Sequence, residues 1–253
     1  MSTNLLQDFK KKISHQACLG IFSKTTDSNL VEAAGYSGLD FIILDQEHGT
    51  VTLETLNNHV RAAKISNLFP IIRVKGVDAH AIGAALDTGA LGVQIPNIAT
   101  AEQAKAAVQA ARFYPKGMRG VCRFVNAAQF GTQPKDQYFD QANQSVVILQ
   151  VEGVEGIQNL DAILEVPGFD ILFIGPYDLS QSIGKPGQVD SPEVLSLMQQ
   201  IAAKAKAKGI LLGAFSDTIV RNQSLKNEGF NYIAHSVDLN IFSIALSQII
   251  KKD

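Results

Sequence analysis

LDFIILDQEHGTVTLETLNNHVRAAKISNLFPIIRV, residues 39–74, decides the fold. It opens on a short apolar run, Leu39 to Leu44, rich in β-branched residues, and then crosses a polar turn. From Leu53 to Ile65 the apolar positions return at three-and-four spacing, as on one face of a helix, before a second apolar run from Phe69 to Val74. Strand, helix and strand in that order make the repeating unit of a parallel sheet.

Working outward, the unit recurs to both ends of the chain. Strands are predicted at Ala17–Phe22, Leu39–Leu44, Phe69–Val74, Gly92–Ile95, Val146–Val151, Ile171–Ile174, Ile210–Ala214 and Tyr232–His235. Helices are predicted between and after them, among others at Ser28–Ala34, Leu53–Ile65, Ala79–Asp87, Thr100–Arg112, Pro192–Lys208 and Leu239–Ile250. Asp27, Thr100, Ser191 and Asp238 stand where helices begin and can accept from a first-turn N–H. Gly35, Gly89, Gly209 and Gly229 stand where helices should stop. Eight strands with intervening helices favour a closed (β/α)8 TIM barrel over an open doubly wound sheet, and no G-x-G-x-x-G follows the first strand. A chain of 253 residues, 46% hydrophobic and 18% charged, suits one such domain spanning 1–253.

The 22 basic and 24 acidic residues are spread along the chain, so no cationic stripe invites nucleic acid or anionic lipid. The N-terminus carries no apolar core of a signal sequence and no apolar run is long enough to span a bilayer, so a cytoplasmic location with no membrane partner is expected. Cys18 and Cys122 are expected to be small apolar fillers rather than a disulfide. A nucleophilic Cys122 between Arg119 and Arg123 is the alternative, though no general base stands next to it. The connection from Phe113 to Gln144 is long and holds arginines and aromatics, which marks it as an interface or active-site lid.

In a barrel, reactive groups gather at the C-terminal ends of strands. Strand two ends in Asp45, Glu47 and His48, strand three in Arg73 and Lys75, strand five in Gln150 and Glu152, and strand six is followed by Asp178. Gln150 and Glu152, two apart, point the same way. A carboxylate in an apolar strand needs a partner, either a salt-bridging cation or a divalent metal shared by Glu152 and Asp178. Two carboxylates leave coordination positions open for water and a bidentate substrate, and with no histidine or cysteine cluster the ion would be magnesium or manganese rather than structural zinc. His48 is the best candidate base, with the preceding acids Asp45 and Glu47 able to raise its basicity; a hydrogen-bonded loop histidine is the plainer alternative, and His235 the rival. Arg73 suits a carboxylate or a developing enolate oxygen, or pairs with Asp45 or Glu47.

Taken in order, GLDFIILDQEHG, PIIRV, LDTGA, KGMRGV, LQVE and FIGPYDLS resemble the class II, metal-dependent 2-oxo-acid aldolases of the HpcH/HpaI family over nearly the whole chain. The resemblance implies a barrel of the phosphoenolpyruvate/pyruvate type, with magnesium, manganese or cobalt held by Glu152 and Asp178. It also implies that Gln150 and the segment Gly175, Pro176, Tyr177 and Asp178 bind the pyruvyl portion, with His48 as base and Arg73 at the transition state. Asp87 would be the acid behind that base, supplied by a neighbouring subunit of a homo-oligomer, commonly a hexamer with exchanged C-terminal helices. The activity implied is cleavage of a 4-hydroxy-2-oxo acid to pyruvate and an aldehyde, or the reverse addition. Two features depart from the pattern. Tyr177 replaces a small residue and crowds the pyruvyl entrance, and Asn126 and Gln129 stand in a stretch that more often carries an arginine, a charge that could bind a distal carboxylate.

Three other readings stay open on the sequence. A Schiff-base aldolase would use Lys24 or Lys75. A lyase of the citrate lyase β type, acting on an acyl-CoA thioester, would find basic residues in Lys116, Arg119 and Arg123. A non-catalytic metal- or oxo-acid-binding barrel is the alternative of another class.

Overall fold

The structure, a computed structural model, describes residues 5–250. Helix α1 (Leu5–His15) precedes β1 (Cys18–Ser23), α2 (Ser28–Tyr36), β2 (Phe41–Asp45), α3 (Leu53–Ile65), β3 (Phe69–Arg73), α4 (Ala79–Asp87), β4 (Gly92–Ile95) and α5 (Ala101–Ala111). A 3-10 turn (Asn126–Gly131) and α6 (Lys135–Ala142) lead into β5 (Val146–Val151), α7 (Val154–Gln158), α8 (Leu160–Leu164) and β6 (Ile171–Ile174). The chain finishes with α9 (Pro176–Ser182), α10 (Pro192–Ala207), β7 (Leu211–Ser216), α11 (Ile219–Asn227), β8 (Tyr232–Val237) and α12 (Asp238–Ile250). The strands are parallel and neighbour one another in chain order, and β8 pairs back onto β1, so the sheet closes as a (β/α)8 TIM barrel.

Alternation along each strand sorts side chains into two apolar layers. Phe41 and Ile43 of β2, Phe69 and Ile71 of β3, Ile148 of β5, Phe173 of β6 and Tyr232 of β8 pack together inside the barrel. Ile42, Leu44, Ile72, Val147 and Leu172 face outward against the helices. Beneath the barrel, Phe9 of α1 stacks on Phe69, the first residue of β3, at 3.9 Å between ring centres. Truncating such a ring to alanine costs about 3–5 kcal/mol, so α1 is part of the core rather than a loose leader.

The inward parity continues past the apolar layers and changes character at the strand ends. Asp45 follows Ile43 by two, Arg73 follows Ile71, Gln94 follows Gly92, and Gln150 and Glu152 follow Ile148. A ring of polar side chains therefore sits on top of a sealed apolar plug, and the catalytic face inherits the strand register, in which Asp45 lies beside Arg73 and Arg73 beside Gln94.

Helices α3 and α4 occupy their predicted ranges, and Asp27, Thr100 and Ser191 cap as expected. Asp238 accepts from a first-turn N–H as expected, that of Leu239 at 2.7 Å, but it is itself the first residue of α12, and its carboxylate also holds the end of β1 through the Ser23 hydroxyl and the backbone N–H groups of Lys24 and Thr25. Gly35 lies inside α2, which runs to Tyr36, and Gly38, at φ 91°, makes the left-handed turn instead. The connection expected to be an interface or lid holds the 3-10 turn and α6, and Phe113 packs on Tyr138 and Phe139 to anchor it. Cys18 is buried as a filler, whereas Cys122 is exposed and fills nothing. No helix among the described residues is long and apolar enough to cross a membrane.

Candidate active site

A cavity of about 320 Å³ opens at the C-terminal ends of the strands, where the sequence reading placed the chemistry. His48, Arg73, Gln150, Glu152, Gly175, Pro176, Tyr177 and Asp178 all line it. Asp45 and Asp87 do not.

Glu152 is the centre of the arrangement. It is 4% exposed, and each of its oxygens is held: Oε1 accepts from the Asn97 backbone N–H at 2.9 Å and Oε2 accepts from the Gln150 side-chain amide. The amide of Gln150 is itself oriented, because its Oε1 accepts from Gln94 Nε2 at 2.6 Å and Gln94 Oε1 accepts from the Tyr232 hydroxyl at 3.2 Å. A chain of buried hydrogen bonds thus fixes the carboxylate from the barrel interior. Burial pushes the Glu152 carboxyl up to about 7, against its two hydrogen bonds, and the neighbouring carboxylates of Asp178 and Glu47 add to the rise. Glu152 makes no ion pair among the described residues. A buried, immobilised carboxylate beside two further acids, with no cation of its own, fits a hard divalent ion. Among the described residues no group of three or more His, Cys, Asp or Glu side chains forms a metal cage, so Glu152 and Asp178 could supply only part of a coordination shell.

Arg73 is held on the opposite side of the site. Its Nε and Nη2 donate to the two oxygens of Asp45 at 2.9 and 2.8 Å, and its Nη1 lies 2.8 Å from Glu47 Oε2, an ion-pair contact without hydrogen-bond geometry. Its guanidinium also sits 4.6 Å over the Phe22 ring. An N–H on each terminal nitrogen is left over for a ligand, since arginine has five donors. The structure therefore joins the two readings of Arg73: it is paired, and it lines the cavity.

Asp45 has a different task from the one expected. It is fully buried behind Arg73, and burial pushes its carboxyl up, but the hydrogen bonds and charge of Arg73 outweigh that and hold it below the usual range. It accepts from the backbone N–H groups of Glu47 and His48, at 3.0 and 3.4 Å, and so shapes the turn that presents the imidazole. The carboxylate beside the ring is that of Glu47, with 3.8 Å between His48 Nε2 and Oε2. His48 itself is exposed to the cavity mouth. Burial pushes the Glu47 carboxyl up, opposed by Arg73 and His48.

Asp87, at the end of α4, pairs with the buried Arg119 at 2.5 Å and does not line the cavity of its own chain. His235 is turned away, 3.1 Å from the Asn222 amide, and lines no part of the cavity. Lys24 does line it, with its ammonium 3.8 Å from Asp45, whereas Lys75 does not. Lys116, Arg119 and Arg123 also lie outside it, so the basic residues that an acyl-CoA reading needs are not at the mouth of this chain's cavity.

Sequence reasoning missed Asn97 and Gln94. Asn97 ties the acids together, donating its backbone N–H to Glu152 and its side-chain amide to Glu47 at 3.0 Å. It does so from φ 58°, and asparagine directly after a strand and proline, a residue tolerant of that conformation, was the available signal. Gln94 was legible only as a polar residue inside an apolar strand.

A model of the HpcH/HpaI aldolase/citrate lyase family matches residues 18–245. A 2-keto-3-deoxy-L-rhamnonate aldolase from Salmonella gallinarum is 37% identical over 230 residues, 90% of this chain and 85% of that one. A 5-keto-4-deoxy-D-glucarate aldolase from Escherichia fergusonii is 35% identical over 230 residues, 90% of this chain and 89% of that one. Among solved structures, an HpcH/HpaI aldolase/citrate lyase family protein from Burkholderia cenocepacia J2315 superposes with a TM-score of 0.92 at 29% identity, covering 99% of both chains.

Proposed function

This chain belongs to the HpcH/HpaI aldolase/citrate lyase family and is a lyase, and on that premise we propose a divalent-metal-dependent aldolase that cleaves a 4-hydroxy-2-oxo acid to pyruvate and an aldehyde, or runs the addition in reverse. The observation that carries the reading is Glu152, buried and locked at both oxygens beside Asp178, in the same cavity as His48 and Arg73. Glu152 and Asp178 would hold the ion, magnesium, manganese or cobalt, as these are ions that oxygen ligands suit. When bound, it would supply a Lewis acid that polarises the 2-keto group and shares its developing charge.

The chain's own residues carry the remaining steps. Gln150, with one amide N–H left after its bond to Glu152, and the segment Gly175 to Asp178 orient the oxo-acid end. His48 takes the proton of the 4-hydroxyl, directly or through water, the C3–C4 bond breaks, and the electron pair flows into the oxo-acid portion as an enolate. The spare N–H groups of Arg73 face that charge, and because Asp45 and Glu47 already fix the guanidinium, little reorganisation is needed as charge develops. Protonation at C3 gives pyruvate and the other fragment leaves as the aldehyde.

The working form would be a homo-oligomer, with Asp87 from a neighbour behind the base. In support, α12 buries none of its residues while exposing Leu239, Phe242, Ile249 and Ile250, an apolar surface that a second copy would cover.

Pyruvate release, coupled to a reporter and screened over 4-hydroxy-2-oxo acids, tests the reading. Activity should vanish with a chelator and return with magnesium, manganese or cobalt. Turnover indifferent to chelation would refute the metal-dependent scheme, and trapping by borohydride with pyruvate would move the chemistry to Lys24. Binding of metal and pyruvate with no turnover on any substrate would favour a non-catalytic barrel.

A further inference from the structure

The cavity is divided around the barrel. His48, Arg73, Gln150 and Glu152 occupy the β2 to β5 side, and the β6 to β1 side, between Asp178 after β6 and Lys24 after β1, presents carbon from Tyr177, Phe215, Val237 and Phe22. Tyr177 stands edge-on to Phe215, with 5.8 Å between ring centres. Its hydroxyl is committed away from a ligand, donating to Asp217 Oδ2 at 2.5 Å, so what it turns to the cavity is its ring. The cations lining the cavity, Lys24 and Arg73, both lie against Asp45, whereas the charge behind Tyr177 is that of Asp217 and Asp190.

Resting on the aldolase reading above, we propose that this wall is the subsite for the aldehyde-derived end of the substrate, and that it selects an uncharged alkyl or aryl substituent over a polyhydroxylated or carboxylated one. Tyr177 is its specificity-determining residue and Asp217 positions it. The physical ground is desolvation. A hydroxylated chain laid on Tyr177, Phe215 and Val237 gives up hydrogen bonds to water and meets only carbon from the two rings and the valine in return, and a distal carboxylate approaches the acids behind Tyr177. An alkyl chain gives up only the water over its own carbon and that of the wall. The addition balances without further reagents: pyruvate loses a C3 proton, C3 bonds to the aldehyde carbon, and the aldehyde oxygen takes a proton to become the 4-hydroxyl.

The test compares kcat/KM for three 4-hydroxy-2-oxo acids of matched length, in which the carbon bearing the 4-hydroxyl carries a propyl, a dihydroxypropyl or a carboxyethyl group. The full-length, metal-loaded enzyme should favour the propyl compound by at least tenfold over both others. Tyr177→Asn, which places polar groups in the wall at a half-exposed position, and Phe215→Ser as a second variant should each lower that ratio severalfold. Exchange of the pyruvate methyl protons with deuterated water, followed by NMR without any aldehyde, separates the two layers of argument. Exchange together with a preference for the hydroxylated or carboxylated compound, or ratios unmoved in both variants, would overturn the subsite; absence of exchange and of cleavage for all three compounds would overturn the aldolase reading beneath it.

Discussion

Gly175 lies so close to Glu152 that a β-carbon on it would stand 2.4 Å from Oε2 and 3.0 Å from the Glu152 β-carbon. Its φ of -89° is open to any residue, so glycine is required here by contact and not by backbone conformation. The last residue before α9 is therefore small because the carboxylate of β5 needs the space. Gly175→Ala should fold, at a cost of about 1–3 kcal/mol for overpacking, but displace the carboxylate. Thermal unfolding should shift modestly while manganese affinity and turnover fall at least tenfold; a variant with unchanged affinity would mean that the carboxylate position does not matter.

Asp45 and Arg73 form the second fixed pair, and here the sign with pH can be worked out. Arg73 holds the Asp45 carboxyl below its usual range, so the pair contributes stability that is present above the unfolded carboxyl value and is lost as pH falls through the lower, folded one. Asp45→Asn leaves a buried guanidinium with Glu47 as its remaining carboxylate and should cost on the order of 3–5 kcal/mol at neutral pH. Urea unfolding across the acid range is the measurement. Stability of the variant should fall less steeply on acidification than that of the parent, and parallel curves would contradict the account.

The two thiols should behave differently. Cys18 is buried in β1, where burial above all, together with Asp40, pushes its thiol up to about 12, whereas Cys122 is exposed in the connection before α6. Thiolate is the reactive form, so a maleimide at neutral pH should label Cys122 in the native chain and Cys18 only after denaturation. Peptide mapping by mass spectrometry decides, and labelling of both in the native protein would show that the barrel opens.

Helix α12 gives a test of assembly. Phe242 and Ile249 are 58% and 70% exposed, and a paired Phe242→Glu and Ile249→Glu substitution would put charge into the proposed subunit contact without touching the core of its own chain. Light scattering after size exclusion should report a multimer for the parent and a smaller species for the variant. Because Asp87 would then be missing from the neighbouring site, turnover should fall as well. A parent that is monomeric and active would rule out the supply of Asp87 by a neighbour.

Much of this architecture is legible in the sequence. Parallel strands of a barrel are buried on both faces and so appear as uninterrupted apolar runs, which is why Val146–Val151 and Ile171–Ile174 coincide with their predicted ranges. Arg73 and Glu152, chosen because a charge interrupts such a run, line the cavity, whereas Asp45 and Lys75, chosen at the same strand ends, do not. What spacing could not separate was Asp45 from Glu47, two apart at the end of one strand: the first turns inward beneath Arg73, and the second stands beside the imidazole. Gln94 and Asn97 escaped because their roles exist only across strands, in bonds to Gln150, Glu152 and Glu47 that no local pattern encodes. Helix α1 was unread for a similar reason. Its short amphipathic sequence gains meaning only when Phe9 meets Phe69 beneath the closed sheet.

The central claim is that Glu152 and Asp178 share one divalent ion, and manganese bound to the protein can be counted directly by electron paramagnetic resonance. Titration of the metal-free chain should give one tight site per chain, lost in Glu152→Gln and in Asp178→Asn and retained in His48→Ala, while adding pyruvate should perturb the spectrum of the parent. Equal manganese binding in the parent and both carboxylate variants, or a spectrum indifferent to pyruvate, would contradict it.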